Sequence, residues 1–144
     1  MEMLIVIVVL GIVTAVVIGG FLMFKRGSEL DSASENLLSL LLEARSKTLS
    51  SKDSSSWGVR FETNRAILFK GTIFVDGAAD NNVIAMPPSA EIATIALNGG
   101  GQNVVFKRLT GETDQYGALT LRLGYDASYT KTITILQTGI ITAQ

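Results

Sequence analysis

The 144-residue chain reads as an α+β protein, in which a long N-terminal hydrophobic α-helix extends into an amphipathic helix packed on antiparallel β-sheet. Three observations predict this. An uncharged apolar run occupies Met3 to Phe24. A stripe of Leu and Ala then recurs at three- and four-residue steps up to about Ser50. Beyond it come short alternating runs separated by Gly, Pro and Asn turns. The division that follows is 1–27, a hydrophobic N-terminal helix, and 28–144, a globular head of one helix plus antiparallel strands.

The first run holds 22 residues without a charge, and Thr14 is its only polar side chain. As a helix it would be roughly 33 Å long, enough for a ~30 Å hydrocarbon layer. A soluble helix of this length without a polar face would need cover on every side. A secretory signal peptide would begin with basic residues and be shorter; this run begins with Glu2 and ends at Lys25-Arg26. For a simple anchor, that basic pair would hold the C-terminal body in the cytoplasm. The body, however, is rich in Ser, Thr, Asn and Gly, in the manner of an extracellular β domain. At a wet interface Glu2 would be a mild helix-dipole partner, favoured by about 0.3–1 kcal/mol. In an apolar setting it would cost several kcal/mol unless a cation met it.

The second helix is expected from about Ser28 to Ser50, with Ser28 as its cap, Glu29, Asp31 and Glu35 early, and Arg45, Lys47 and Lys52 at its end. Leu30, Ala33, Leu37, Leu40 or Leu41, Ala44 and Thr48 form the face that should lie on a sheet. Leu38, Leu42 and Leu49 make a second apolar edge, available for further core or for other subunits. The two helices are expected to be continuous or gently hinged at Gly27. Strands are expected at Trp57–Phe61, Ala66–Lys70, Thr72–Val75, Ala93–Leu97, Asn103–Lys107, Ala118–Leu123, Thr130–Leu136 and Ile140–Thr142. Asp76-Gly77, Pro87-Pro88, Asn98–Gly101, Thr110-Gly111 and Gly139 punctuate them. Strands this short imply an antiparallel system that the preceding helix covers.

Composition closes off many chemistries. There is no Cys and no His, which removes thiol nucleophiles, imidazole catalysis, Cys/His zinc sites and disulfides. The 12 basic and 13 acidic residues leave a net charge of −1, and without Glu2 the body is neutral at 12 and 12. No basic face for nucleic acid is indicated. Asp76–Asn82 has oxygens enough for a calcium loop but lacks the spacing and closing Glu of an EF-hand, so a solvated turn is expected. Glu112, Asp114 and Asp126 have no fixed geometry for acid–base work. The Ser-rich loop after Ser46 has no activating base, and Asn98–Gly101 is not followed by Lys-Ser/Thr as a phosphate loop would be. Trp57, Tyr116, Tyr125 and Tyr129 could mark a patch, though Trp57 at a strand start reads as core. No catalytic residue, metal or cofactor is expected, and the chain is not read as an enzyme.

The stretch Glu2-Met3-Leu4-Ile5-Val6-Ile7-Val8-Val9-Leu10-Gly11-Ile12 resembles the N-terminus of type IV pilins and pseudopilins, which mature to chains beginning Phe-Thr-Leu-Ile-Glu. The resemblance covers about the first 25 residues strongly. It implies a pilin-like fold and a structural subunit of a type IV pilus or a type II secretion pseudopilus. It also implies that Glu2 pairs with the N-terminal amine of a neighbouring subunit. Such a pair ~4 Å apart gains about 4 kcal/mol at an effective dielectric near 20. Met1 stands where the family has Ile, and a truncated or re-started N-terminus is expected. Gly11, Gly19 and Gly20 each weaken a helix by about 1 kcal/mol, and the resemblance implies a soft segment between Gly11 and Gly20 that takes part in subunit assembly; small-residue packing is the alternative. The membrane and filament core would be Leu4, Ile5, Val6, Ile7, Val8, Val9, Leu10, Ile12, Val13, Val16, Val17, Ile18 and Phe21.

Within the family, Ala44-Arg45-Ser46, Trp57-Gly58-Val59-Arg60-Phe61, Phe106 with Gly111, Ile133-Thr134-Ile135 and Gly139-Ile140-Ile141 resemble the H-type minor pseudopilins and the related minor pilins of DNA uptake. The DNA-uptake members carry Arg soon after the last Gly; here there is no Lys or Arg after Lys131. Implied partners are other pilin subunits, in a homo- or hetero-polymer, the inner membrane before assembly, and the pilus assembly machinery. No nucleic-acid partner is expected. The alternatives are a non-polymerising membrane-anchored ectodomain and a DNA-binding minor pilin. The implied location is a single-pass bacterial inner membrane, then a periplasmic or extracellular filament.

Overall fold

The structure, a computed structural model, describes residues 2–124 and 126–144, with the side chains of 2 and 19–26 outside the description. One helix, α1, runs unbroken from Glu2 to Leu49, 48 residues and so ~72 Å long. Its N-terminal part is rich in β-branched residues of modest helix propensity, whereas Leu, Ala, Glu and Lys favour the helix after Ser28. Because α1 crosses Gly27 without interruption, Ser28 is not a cap. Its carbonyl instead accepts a hydrogen bond from Ser32 Oγ at 2.8 Å.

The helix stops where serines take over. Ser51 adopts φ 50°, and its N–H donates to the Thr48 carbonyl at 3.0 Å. A short 3₁₀ turn, Lys52–Ser54, reverses the chain. Thr48 fastens the reversal: its buried hydroxyl donates to the Ala44 carbonyl and accepts from the Trp57 N–H, both at 2.9 Å.

Eight strands follow: β1 Trp57–Glu62, β2 Arg65–Lys70, β3 Asn82–Ala85, β4 Ala90–Leu97, β5 Asn103–Val105, β6 Gly117–Leu123, β7 Asp126–Ile135 and β8 Ile141–Ala143. They form two four-stranded antiparallel sheets, ordered β3-β2-β1-β5 and β4-β6-β7-β8. The C-terminal half of α1 packs against both. The expected helix face is the one buried: Leu30, Ala33, Leu37, Leu40, Leu41 and Ala44 are each at most 4% exposed. They meet Val59, Phe61 and Leu68 of the first sheet and Leu119, Leu121 and Ile133 of the second. Leu37 sits fully enclosed in this layer. Leu37→Ala should therefore lower the stability of the head by about 2–5 kcal/mol, read as a drop in its denaturant midpoint.

One expected strand is not formed. Residues 72–75 alternate as a strand should, with Ile73 75% and Val75 61% exposed on either side of half-buried Phe74. They cross the outer face of the first sheet instead of pairing with it. Phe74 stands edge-on to Phe69, centroids 5.5 Å apart, and the Arg60 guanidinium lies 4.8 Å from its ring. The edge position is taken by β3, in a region where turns were expected. Its Ile84 reaches the main core and pairs with Ala66 of β2. Beside it on the outer face, Arg65 and Arg60 both hydrogen-bond Glu62, and hold its carboxyl below the usual range. The expected solvated turn at Asp76–Asn82 is exposed through Asp80, and Asn81 closes it by donating to the Val75 carbonyl at 2.8 Å.

Candidate assembly interface

The N-terminal third of α1 touches nothing else in the chain. From Leu4 to Ile18, Leu4, Ile5, Val6, Ile7, Val8, Val9, Leu10, Ile12, Val13, Val16, Val17 and Ile18 are all between 53% and 71% exposed. Leu4, Ile5, Val8 and Val9 line a shallow groove with an entirely apolar surface. Uncovered aliphatic surface on this scale is expensive in water, at about 25 cal/mol per Å². Thr14, the run's one polar side chain, donates its hydroxyl to the Leu10 carbonyl at 2.7 Å. That bond satisfies the hydroxyl without water, as a lipid or protein interior requires. Among the described residues no helix is long and apolar enough to cross a membrane. The described side chains of the run end at Ile18, while the uncharged sequence continues to Phe24.

Of the assembly residues expected from sequence, Gly11 lies in unbroken helix, with open space around any added Cβ. The side chain of Glu2, the surroundings of Gly19 and Gly20, and the side chain of Phe21 lie outside the described residues.

The scattered motif residues of the head, by contrast, come together at the far end of α1. Phe106, Trp57, Phe61, Ile133 and Ile135 are all buried around Ala44. Arg45, one residue on, is half-buried between two turns, and its Nε donates to the Gly111 carbonyl at 3.4 Å. Gly111 and Gly139 both have positive φ, 68° and 77°. A Cβ on Gly139 would fall 1.8 Å from the Gly111 oxygen. The two turns approach this closely only because both residues are glycine. Leu49 packs on the same joint, within 3.1 Å of where a Gly111 Cβ would lie.

A shallow groove opens beside it, lined by Leu42, Arg45, Ser46, Leu49 and Ser50. Leu42 is 46% and Leu49 40% exposed, so the second apolar edge of the helix faces solvent and adds little to the core. Nearby, Leu109 holds φ 72° while 81% exposed, a conformation unusual for a bulky side chain. Sequence reasoning gave Leu109 no role, and no local signal marks it.

The remaining polar candidates do not converge. Asp114 pairs with Lys107 at 2.6 Å, and Asp126 accepts from the Ser128 N–H at 3.0 Å. No group of three potential metal ligands occurs among the described residues. Trp57 is buried, with the Lys47 ammonium 4.6 Å from its ring centre, whereas Tyr116 and Tyr129 are each about 40% exposed and Tyr125 lies outside the described residues.

No protein-family model and no curated protein matches the sequence. Two solved structures share the fold. The type IV minor pilin FimU of Pseudomonas aeruginosa aligns with a TM-score of 0.60 at 14% identity, over 80% of this chain and 92% of that one. The minor pseudopilin EpsH of the type 2 secretion system of Vibrio cholerae aligns with a TM-score of 0.57 at 13% identity, over 81% and 96%. The chain has the α+β fold of these two proteins, a helix packed on antiparallel sheets.

Proposed function

We propose that the chain is a structural subunit of a type IV pilus or a type II secretion pseudopilus. The observation that carries this is the contrast within α1: a closed, well-packed head on one end and a bare aliphatic rod on the other. Such a rod needs an apolar surrounding. A membrane supplies one before assembly, and a bundle of identical rods supplies another afterwards. On this reading residues 1–27 are anchor and filament core, and 28–144 are the head displayed outside. Glu2 then finds its counter-charge in the terminal amine of an adjacent subunit, and Gly11, Gly19 and Gly20 let the rods bend or approach. The pool of subunits sits in the bacterial inner membrane, and the filament is periplasmic or extracellular. Electron microscopy of cell-surface or periplasmic fibres, with this chain located in them by labelling, tests the reading. Fibres that form normally without the chain in their shaft or tip would count against it.

The fold is also that of a minor pilin, so a DNA-contact role invites a test. Its charges argue the other way. Lys47, Arg60, Arg65, Lys70, Lys107, Arg122 and Lys131 each lie against a carboxylate within 3.5 Å. Neutralised in pairs, they leave no basic track for a phosphate backbone. The full chain in detergent should give no salt-sensitive shift of duplex DNA in a gel. A tight shift that salt abolishes would favour the DNA-binding alternative.

A further inference from the structure

At 3.6 residues per turn the head half of α1 has three faces. One is the buried core face and one is polar. The third is a flank carrying Glu35, Leu38, Leu42, Arg45 and Leu49, spaced three, four, three and four residues apart. This is the spacing of a coiled-coil seam. Leu42 and Leu49 are substantially exposed on it, and Glu35 is exposed. Arg45 is half-buried in the groove between the two leucines, with the Gly111 carbonyl as its hydrogen-bond partner. Among the described residues neither Arg45 nor Glu35 has an ion-pair partner. One surface thus carries a partly desolvated cation at one end and an unpaired carboxylate at the other, joined by leucines.

We propose that this flank joins copies of the chain, Arg45 of one reaching Glu35 of the next. The proposal rests on the filament reading, which sets the orientation: rods held in one membrane must run parallel. A parallel neighbour displaced by one heptad, ~10 Å along the axis, places Leu49 of one copy against Leu42 of the next. The same displacement brings Arg45 within about one helical turn of the neighbour's Glu35. Because the two contacting patches differ, the contact repeats without closing and builds a polymer. An antiparallel pair would also match Arg45 with Glu35, but it would close as a dimer and send the two N-terminal rods to opposite sides.

The chain has no native Cys, so introduced thiols report this contact alone. The full-length Leu42→Cys/Leu49→Cys variant, oxidised in membranes, should give a disulfide ladder extending beyond dimer, and each single variant should not. Positions 42 and 49 are ~10 Å apart within one helix, too far to bridge internally. Adding Glu35→Arg should reduce the ladder about tenfold by setting two cations together. Adding Arg45→Glu as well should restore it. Glu35 makes no contact within the head, so its reversal tests charge matching and leaves folding intact; an unchanged melting temperature of the variant would verify this. A ladder insensitive to Glu35→Arg, or products stopping at dimer, would overturn the proposal. So would strong Leu38→Cys/Leu42→Cys dimers, the mark of an antiparallel pair. Normal fibres without a ladder would overturn this contact while leaving the filament reading intact; absence of fibres in the unmodified protein would remove both.

Discussion

Glu2→Ala is expected to abolish fibres while leaving the head folded. On the assembly proposed here, the Glu2 carboxylate meets the terminal amine of a neighbour inside a sheath of leucine, isoleucine and valine. Removing one member of a buried pair is worse than never having had it, because the surviving charge stays desolvated. Losses of about 3–5 kcal/mol are typical of such removals. At 1.4 kcal/mol per tenfold, a loss of that order raises the concentration needed for polymerisation by roughly a thousandfold. The head should not register the change, since residue 2 lies 28 residues, or ~42 Å, before the first buried residue of the helix, Leu30. The measurement pairs electron microscopy of fibres with the thermal melting of the same variant. Fibres of normal abundance from Glu2→Ala would show that the acid serves only as a helix-end charge. That outcome would favour an anchored domain that does not polymerise through its rod.

Some parts of this molecule were legible because their physics is local. A buried helix face must recur every three or four residues, so Leu30, Ala33, Leu37, Leu40, Leu41, Ala44 and Thr48 announced the core before any fold was known. The bare rod was equally plain, since 22 uncharged residues leave few alternatives. What failed was non-local. Residues 72–75 carry a real alternation, but a strand needs a neighbour, and Phe69 and Arg60 offered Phe74 a better place across the face of the sheet. The true edge strand, Asn82–Ala85, is only four residues long and flanked by Asn and by Pro87-Pro88, so turn signals masked it.

The candidate interface divides the same way. Leu38, Leu42 and Leu49 could be picked out as a second apolar edge from spacing alone. That Glu35 and Arg45 belong to the same edge became visible only when the neighbouring acids and bases were found paired elsewhere, Asp31 with Lys131 and Lys47 with Glu43. A charge counts as unmatched only after every partner within reach has been assigned, and those partners come from distant strands. The joint around Arg45 is the clearest case. Residues 45, 111 and 139 meet although they lie up to 94 positions apart, and no periodicity links them.

That joint sets the second large effect. Three glycines separate its causes. At Gly101 an added Cβ meets only Asn103 N, at 4.0 Å, and the backbone is not in the left-handed region, so Gly101→Ala should leave the melting temperature nearly unchanged. Gly77 has φ 71° but open space, so Gly77→Ala carries backbone strain alone, about 1–2 kcal/mol. Gly139 has both the positive φ and a backbone oxygen 1.8 Å from the new carbon. The turn of 136–140 cannot back away cheaply, because Leu136 N–H donates to the Ile140 carbonyl at 2.9 Å and β8 pairs with β7 just beyond it. Gly139→Ala should therefore cost about 3 kcal/mol or more and lower the melting temperature of the head by about 10 °C or more. Equal effects at Gly77 and Gly139 would mean that strain alone is at work and that the two turns are not in contact. A graded series would establish the close approach of the turns, and with it the shelf that holds Arg45 toward its neighbour. Loss of that shelf should also weaken the disulfide ladder in whatever fraction of Gly139→Ala remains folded.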